Sequence, residues 1–315
     1  MYNLRRPNDP FVPAGEIDRL ESHSMNSVAY SPDGHHILGG GGDICVWDDS
    51  QLTERYSINS IVGSIRNVAF SPDSRYFISG ESTGYVRLWE VSTGKEVRKY
   101  NTRDWVESVA FSPNGSYILS GGGPSLEVIL WHTGSGDEIR RHRAHKSWIE
   151  SIAFSPDGKS FLSTDFGAIH LWDLDSGREI RRFWGHDRFV LGVAFSPCGR
   201  LAVSGGIDHT VRLWDVASGL EICRFEGHAG PVKSVAFSPD SKHVLSGSMD
   251  GTVRLWNVGS RRPVFRFSDH IGWVESVAFS PDGYFAISGG QDRTVRIWSL
   301  RNLTVENATS DHWIN

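Results

Sequence analysis

Three sets of histidine, serine and aspartate stand at one fixed spacing: His186, Ser204 and Asp208; His228, Ser246 and Asp250; His270, Ser288 and Asp292. A serine hydroxyl beside an imidazole that a carboxylate orients is the composition of a hydrolytic triad. Here the set is written three times, with Trp214, Trp256 and Trp298 following at one offset. A catalyst needs one site, whereas a repeating architecture needs the same polar contacts in every copy. The sets are therefore read as structural, and no catalytic residue is assigned.

Other chemistry is equally thin. The run Gly39–Gly42 is no phosphate loop, because no Lys-Ser/Thr follows it and no helix is predicted after it. Cys45, Cys198 and Cys223 are odd in number and lack CxxC spacing, which argues against a disulfide framework and a zinc site. Glu107, Glu150 and Glu275 have no histidine or aspartate companions to make a cation site, so no metal and no cofactor is expected. A net charge of −5 gives no footprint for nucleic acid. The densest basic stretch, Arg140 to Lys146, reads as solvated charge. No run of eighteen apolar residues spans a membrane, and the first twenty residues lack the apolar core of a signal peptide. A cytoplasmic, monomeric protein is the expectation.

These residues are positioned by a repeat. Trp47, Trp89, Trp131, Trp172, Trp214, Trp256 and Trp298 follow at steps of 42, 42, 41, 42, 42 and 42 residues. A Ser-Pro series, from Pro32 through Pro72, Pro113, Pro156, Pro197 and Pro239 to Pro281, interleaves with it. One clear copy, 228–267, divides into strands at 232–237, 243–248, 252–257 and 263–267. Pro239 presets a turn after the first strand, and Asp250-Gly251 marks a hairpin after the second. The third alternates apolar with polar residues. All connections are short, so each copy is a four-stranded antiparallel meander. One such sheet cannot bury both faces alone. Seven stacked around an axis can, with the tryptophans between them.

The pattern GH…SVAFSPDG…SGS.DGTVRLWD resembles the WD40 repeat over nearly the whole chain, and the likeness between copies is similar to that in bacterial WD40 repeat proteins. The resemblance implies an all-β, seven-bladed propeller of four-stranded antiparallel blades over residues 15–300, with an N-terminal extension at 1–14 and a tail at 301–315. It also implies that each His, Ser, Asp and Trp set forms a structural tetrad, complete in blades 5 to 7. Blade 4 keeps His145 and Ser163 but has Phe166 where the aspartate is expected; blade 3 has Ser125 there and blade 2 Thr83. Blades 1 to 4 are thus expected to be the softer half. WD40 rings usually close with a strand from the far end of the chain. Residues 16–20 copy a fourth strand without a blade of their own, and are expected to pair with the Trp298 strand. The tail 303–309, followed by Ser310-Asp311-His312, is the rival for that place.

A basic residue recurs along the outer strands, at Arg19, Lys99, Arg141, Arg182, Arg224 and Arg266. It reads as protection of exposed edges, with a belt for an acidic partner as the alternative. The loops entering the first strands carry more specific chemistry. Trp105 with Glu107, Trp148 with Glu150 and Trp273 with Glu275 share the pattern W-(V/I)-E-S; blade 5 has Phe189 with Leu191, blade 2 Arg66 and blade 6 Lys233. The resemblance places these positions on the face where partners dock, and aromatics beside charges are what interface hot spots are made of. The aromatics either form such a site or pack against neighbouring loops. The expected function is a non-catalytic scaffold that binds a protein or peptide, with apolar and basic side chains, on its loop face. The alternative is a small-ligand or enzymatic site at the channel mouth.

Overall fold

Alternating apolar residues in six-residue runs, punctuated by Ser-Pro-Asp and Asp-Gly turns, fold into antiparallel strands throughout. The computed structural model describes residues 14–59, 63–143, 145–301 and 303, and all regular structure among them is strand. The strands form seven blades around a central channel. Blade 1 runs Met25–Tyr30, His36–Gly41, Ile44–Asp48 and Thr53–Ile58 from the channel outward. Blade 6 repeats it with Val232–Phe237, His243–Ser248, Val253–Asn257 and Arg262–Phe267.

The N-terminal segment closes the ring. Strand Gly15–Glu21 pairs antiparallel with Thr294–Ser299, placing Glu16 opposite Trp298 and Leu20 opposite Val295. Blade 7 is thus made from both regions of the chain. Of the rival tail 303–309 all but Leu303 lies outside the described residues, as does the Ser310-Asp311-His312 that follows it.

Blades 4 and 5 depart from the simple meander. Strand Glu179–Phe195 runs without a break from the outer edge of blade 4 to the inner edge of blade 5, so the two blades join in one seven-stranded sheet. Residue Phe166 extends the third strand of blade 4 (Phe166–Asp173) far enough to pair with Phe189.

Seven apolar clusters fill the seams between adjacent blades, one tryptophan in each. These tryptophans are at most 4% exposed. Burying ~200 Å² of indole at ~25 cal/mol/Å² is worth up to ~5 kcal/mol per seam. Six of the indole nitrogens donate to a second-strand serine at 2.8–2.9 Å: Ser79, Ser120, Ser163, Ser204, Ser246 and Ser288. Blade 1 has Gly39 at that position. A side chain there would meet Trp47 and the Met25 sulfur within 3 Å.

Candidate interaction face

In blades 5 to 7 the histidine Nε2 lies 2.6–2.7 Å from the serine Oγ, and its Nδ1 lies 2.9 Å from the aspartate. Each serine is fully buried and also accepts the tryptophan N–H, so no substrate can reach the hydroxyl. Burial alone would raise the Asp208 and Asp250 carboxyls. Hydrogen bonds from His186 and Thr210, and from His228 and Thr252, outweigh it and hold both well below the usual carboxylate range.

The earlier blades carry a carboxylate too, at positions the spacing did not mark. In blade 4 the residue is Asp165, with its Oδ2 at 3.2 Å from His170 and accepting the Lys146 N–H at 3.3 Å. Phe166, expected to stand in the aspartate's place, is half exposed instead. The physical reason is a hairpin one residue shorter: Ser163 and Trp172 are nine apart, against ten in blades 5 to 7. In blade 2 the buried Glu81 accepts from Thr83 and from Arg87 at 2.9 and 2.6 Å. In blade 3 Glu127 takes Arg141 and Arg143 at 2.6 and 2.5 Å. The outer basic residues are largely committed as well. Arg141, Arg182 and Arg224 pair with Glu138, Glu179 and Glu221, and Lys99 lies 3.4 Å from the Tyr85 ring centre.

The first strands enter from the loop face and alternate sharply between core and channel. Residues Asn26, Arg66, Glu107, Glu150, Leu191, Lys233 and Glu275 occupy one level and form a ring at the channel mouth. The residues one step deeper form a second ring of hydrogen bonds from blade to blade. Ser27 accepts Val68 N–H, Asn67 accepts Val109, Ser108 accepts Ile152 and Ser151 accepts Val193. Ser234 accepts Val277 and Ser276 accepts Val28, all at 2.9–3.2 Å. Gly192, having no side chain, leaves the seam between blades 5 and 6 without this bond. The signal was present in the sequence as a polar residue after each ring position, but its meaning depends on the neighbouring blade.

The residues of the W-(V/I)-E-S loops separate into two sites. Trp105, Trp148 and Trp273 stand outside the channel, 51%, 50% and 44% exposed, and the first two meet edge to face with ring centres 5.8 Å apart. Phe189 is half buried and pairs with Phe166 at 5.2 Å, a partner that sequence reading did not place beside it. Trp184, 64% exposed, was also not singled out. The glutamates instead line the channel. Glu107 pairs with Arg66 at 2.9 Å and Glu275 with Lys233 at 3.7 Å. Burial raises the Glu150 carboxyl, and Glu107 adds to it, while Lys233 and Arg66 oppose. No histidine, cysteine or aspartate lines this mouth, and no group of three metal-ligating side chains is found among the described residues. No helix among them is long and apolar enough to cross a membrane.

Parts of the chain are similar to known proteins. Over 148 residues, 45% of this chain, it is 26% identical to protein groucho of Drosophila melanogaster. Over 99 residues, 31% of the chain, it is 28% identical to eukaryotic translation initiation factor 3 subunit I of Emericella nidulans. The matches take in only 20% and 30% of those proteins' own lengths. The WD domain, G-beta repeat family matches at 15–48, 55–90, 94–131, 136–173, 177–215, 219–257 and 261–299. Each match joins an outer strand to the first three strands of the next blade, which is the stagger that leaves strand Gly15–Glu21 to close blade 7. Repeats of this family thus cover nearly the whole ring, and the chain belongs to the WD40 repeat family.

Proposed function

We propose that this propeller is a non-catalytic scaffold that holds a protein or peptide on its loop face, anchored on Trp105 and Trp148. The observation that carries the reading is that paired indole edge. Two half-exposed tryptophans on adjacent blades touch each other, although neither the seams nor the channel rings use them. Large aromatics left in solvent cost nothing only if something covers them in use, and such residues dominate interface energetics. Phe166 and Phe189 extend the apolar surface on blades 4 and 5, while Trp273 offers a separate contact beside the exposed Ile271.

The relatives support a binding role, since one is by its name a subunit of a larger factor. A catalytic reading has little to work with. Ser27, Ser108, Ser151, Ser234 and Ser276 at the channel are occupied in blade-to-blade bonds, and no histidine lines the mouth beside them. The three free thiols suit a reducing cytoplasm, and a monomer is the simplest form that leaves the face open. The test is affinity capture with the wild-type chain and a Trp105→Ala/Trp148→Ala variant. A specific protein partner should be lost from the variant, with a drop of about thirtyfold or more in affinity. Undiminished capture removes the tryptophans from the site.

A further inference from the structure

The ring at the channel mouth is one charge out of balance. Its charged members are Arg66, Glu107, Glu150, Lys233 and Glu275, so it carries one more carboxylate than cations. Two pairs account for four of them, Arg66 with Glu107 and Lys233 with Glu275. Glu150 is the remainder, and it receives no hydrogen bond or ion pair from any described residue. It sits in the channel wall between Glu107 of blade 3 and Leu191 of blade 5, in a cavity of about 120 Å³. Lys233 and Arg66 act on it only from a distance, and a partly buried carboxylate with no cation in contact gains when one reaches it.

The wall next to Glu150 has a particular shape. Blade 5 contributes Leu191, the one apolar side chain in the ring, and Gly192, which has no side chain at all. A Cβ at Gly192 would lie 3.0 Å from the Lys233 carbonyl oxygen, so the seam between blades 5 and 6 is tight there. A single leucine beside that carboxylate, in a lining that is otherwise mostly polar, suits the methylene stem and charged end of a basic side chain. It does not suit a hard divalent cation, which takes six or more oxygen ligands, because the other two ring carboxylates are already held by Arg66 and Lys233.

We infer that the channel mouth takes one basic side chain, lysine or arginine, from the partner docked on the loop face, with its charge against Glu150 and its stem along Leu191. The inference rests on the docking reading above, because the occupant belongs to that partner. It assigns Glu150 a role different from that of Glu107 and Glu275: those two hold the ring together, and Glu150 reads the ligand.

The probes are N-acetyl-arginine amide, N-acetyl-lysine amide and the neutral N-acetyl-glutamine amide, titrated against the full chain at low salt with ligand-observed NMR. The two cationic amides should bind and the neutral one should not. Glu150→Gln should weaken the cationic amides about tenfold or more. Leu191→Lys should do the same by placing an ammonium beside Glu150, a second route that leaves the carboxylate in place. Trp105→Ala/Trp148→Ala should leave amide binding within about threefold, because it removes the anchor and not the counter-ion. Equal binding of the glutamine amide, unchanged binding by both channel variants, or displacement of the amides by calcium would each overturn the inference. If the amides bind as expected while the tryptophan variant keeps its protein partner, the docking reading fails and the cation site stands. The reverse pattern sinks the cation site alone.

Discussion

Blades 4 and 5 share one strand and nearly the same polar residues, yet they are wired differently. In blade 5 Asp208 faces His186 and also takes Arg212 at 3.0 Å, while Arg212 reaches Glu221 at 2.7 Å. In blade 4 Asp165 faces His170, which occupies the place of Arg212 and reaches Glu179 at 2.9 Å. His145 keeps Ser163 at 2.7 Å but its Nδ1 has no hydrogen-bond partner. In both blades a nitrogen-bearing side chain thus bridges two carboxylates, and an arginine does so again in Glu81–Arg87–Glu96 of blade 2 and Asp292–Arg296–Glu16 of blade 7. What the fold holds constant is a buried carboxylate that is matched, whichever side chain matches it. In blade 7 that bridge uses Glu16, so ring closure is ionic as well as strand pairing.

The largest expected difference between the two kinds of blade comes from removing the carboxylate. Asp208→Ala takes the carboxylate from His186 and leaves the fully buried Arg212 with Glu221 alone, and should cost about 3–5 kcal/mol. Glu81→Ala should cost less, about 2 kcal/mol, because Arg87 is 21% exposed and no histidine shares the Glu81 carboxylate. Urea denaturation of both variants checks the order, and a larger loss at Glu81 would erase the distinction.

Acid should separate the blades next. Burial lowers His142 and His145 to about 4. Below pH 6.5 the unfolded chain gains protons that the folded blade refuses, so stability is full above 6.5 and declines as pH falls toward 4. Each buried histidine contributes on the order of 3 kcal/mol to that decline. Asp208 and Asp250 act in the same direction at lower pH: their contribution is present above the ordinary carboxylate value near 4 and is lost only below it. A His142→Phe variant should flatten the stability profile between pH 6.5 and 4. An unchanged slope would show that the seam between blades 3 and 4 opens without exposing that ring.

Hydrogen exchange sharpens the comparison further. Blades 5 to 7, with complete tetrads, should exchange more slowly than blades 1 to 3, by about tenfold to a hundredfold if one network is worth 1–3 kcal/mol. Uniform protection would mean that the ion pairs of Glu81 and Glu127 compensate fully. The smallest effect belongs to the channel bonds. Ser151→Ala should cost about 1 kcal/mol, since the freed Val193 N–H faces the channel and finds water. A thermal melt of that variant shifted by as much as Asp208→Ala would mean that the inner ring of bonds, and not the tetrads, sets the ring's stability.

The tetrads of blades 5 to 7 were legible because His, Ser, Asp and Trp keep one spacing in all three. Asp165 was not, because it stands two positions beyond the serine where Asp208 stands four, a shift larger than the one residue by which the hairpin is shorter. Glu81 was hidden for a similar reason: it lies before the turn, two residues ahead of Thr83. The loop glutamates were visible as a group, but nothing in W-V-E-S says that tryptophan and glutamate part company. Alternation along the strand sends them to different surfaces, and the twist of each blade decides which surface is the channel.

By itself the sequence determined the blade count and the strand boundaries of its clearest copy to within a residue or so, and it narrowed the closing strand to residues 16–20 or the tail. Those features rest on local periodicity and on a repeat that states the same instruction seven times. Only the tertiary structure decided which charges meet. Arg66 and Glu107 are 41 residues apart, as are the other neighbours in the ring to within a residue or two, and their pairing depends on the angle between successive blades. Charge pairing across a channel is a property of the closed ring, so the isolation of Glu150 could be seen only once all seven members stood at the same level.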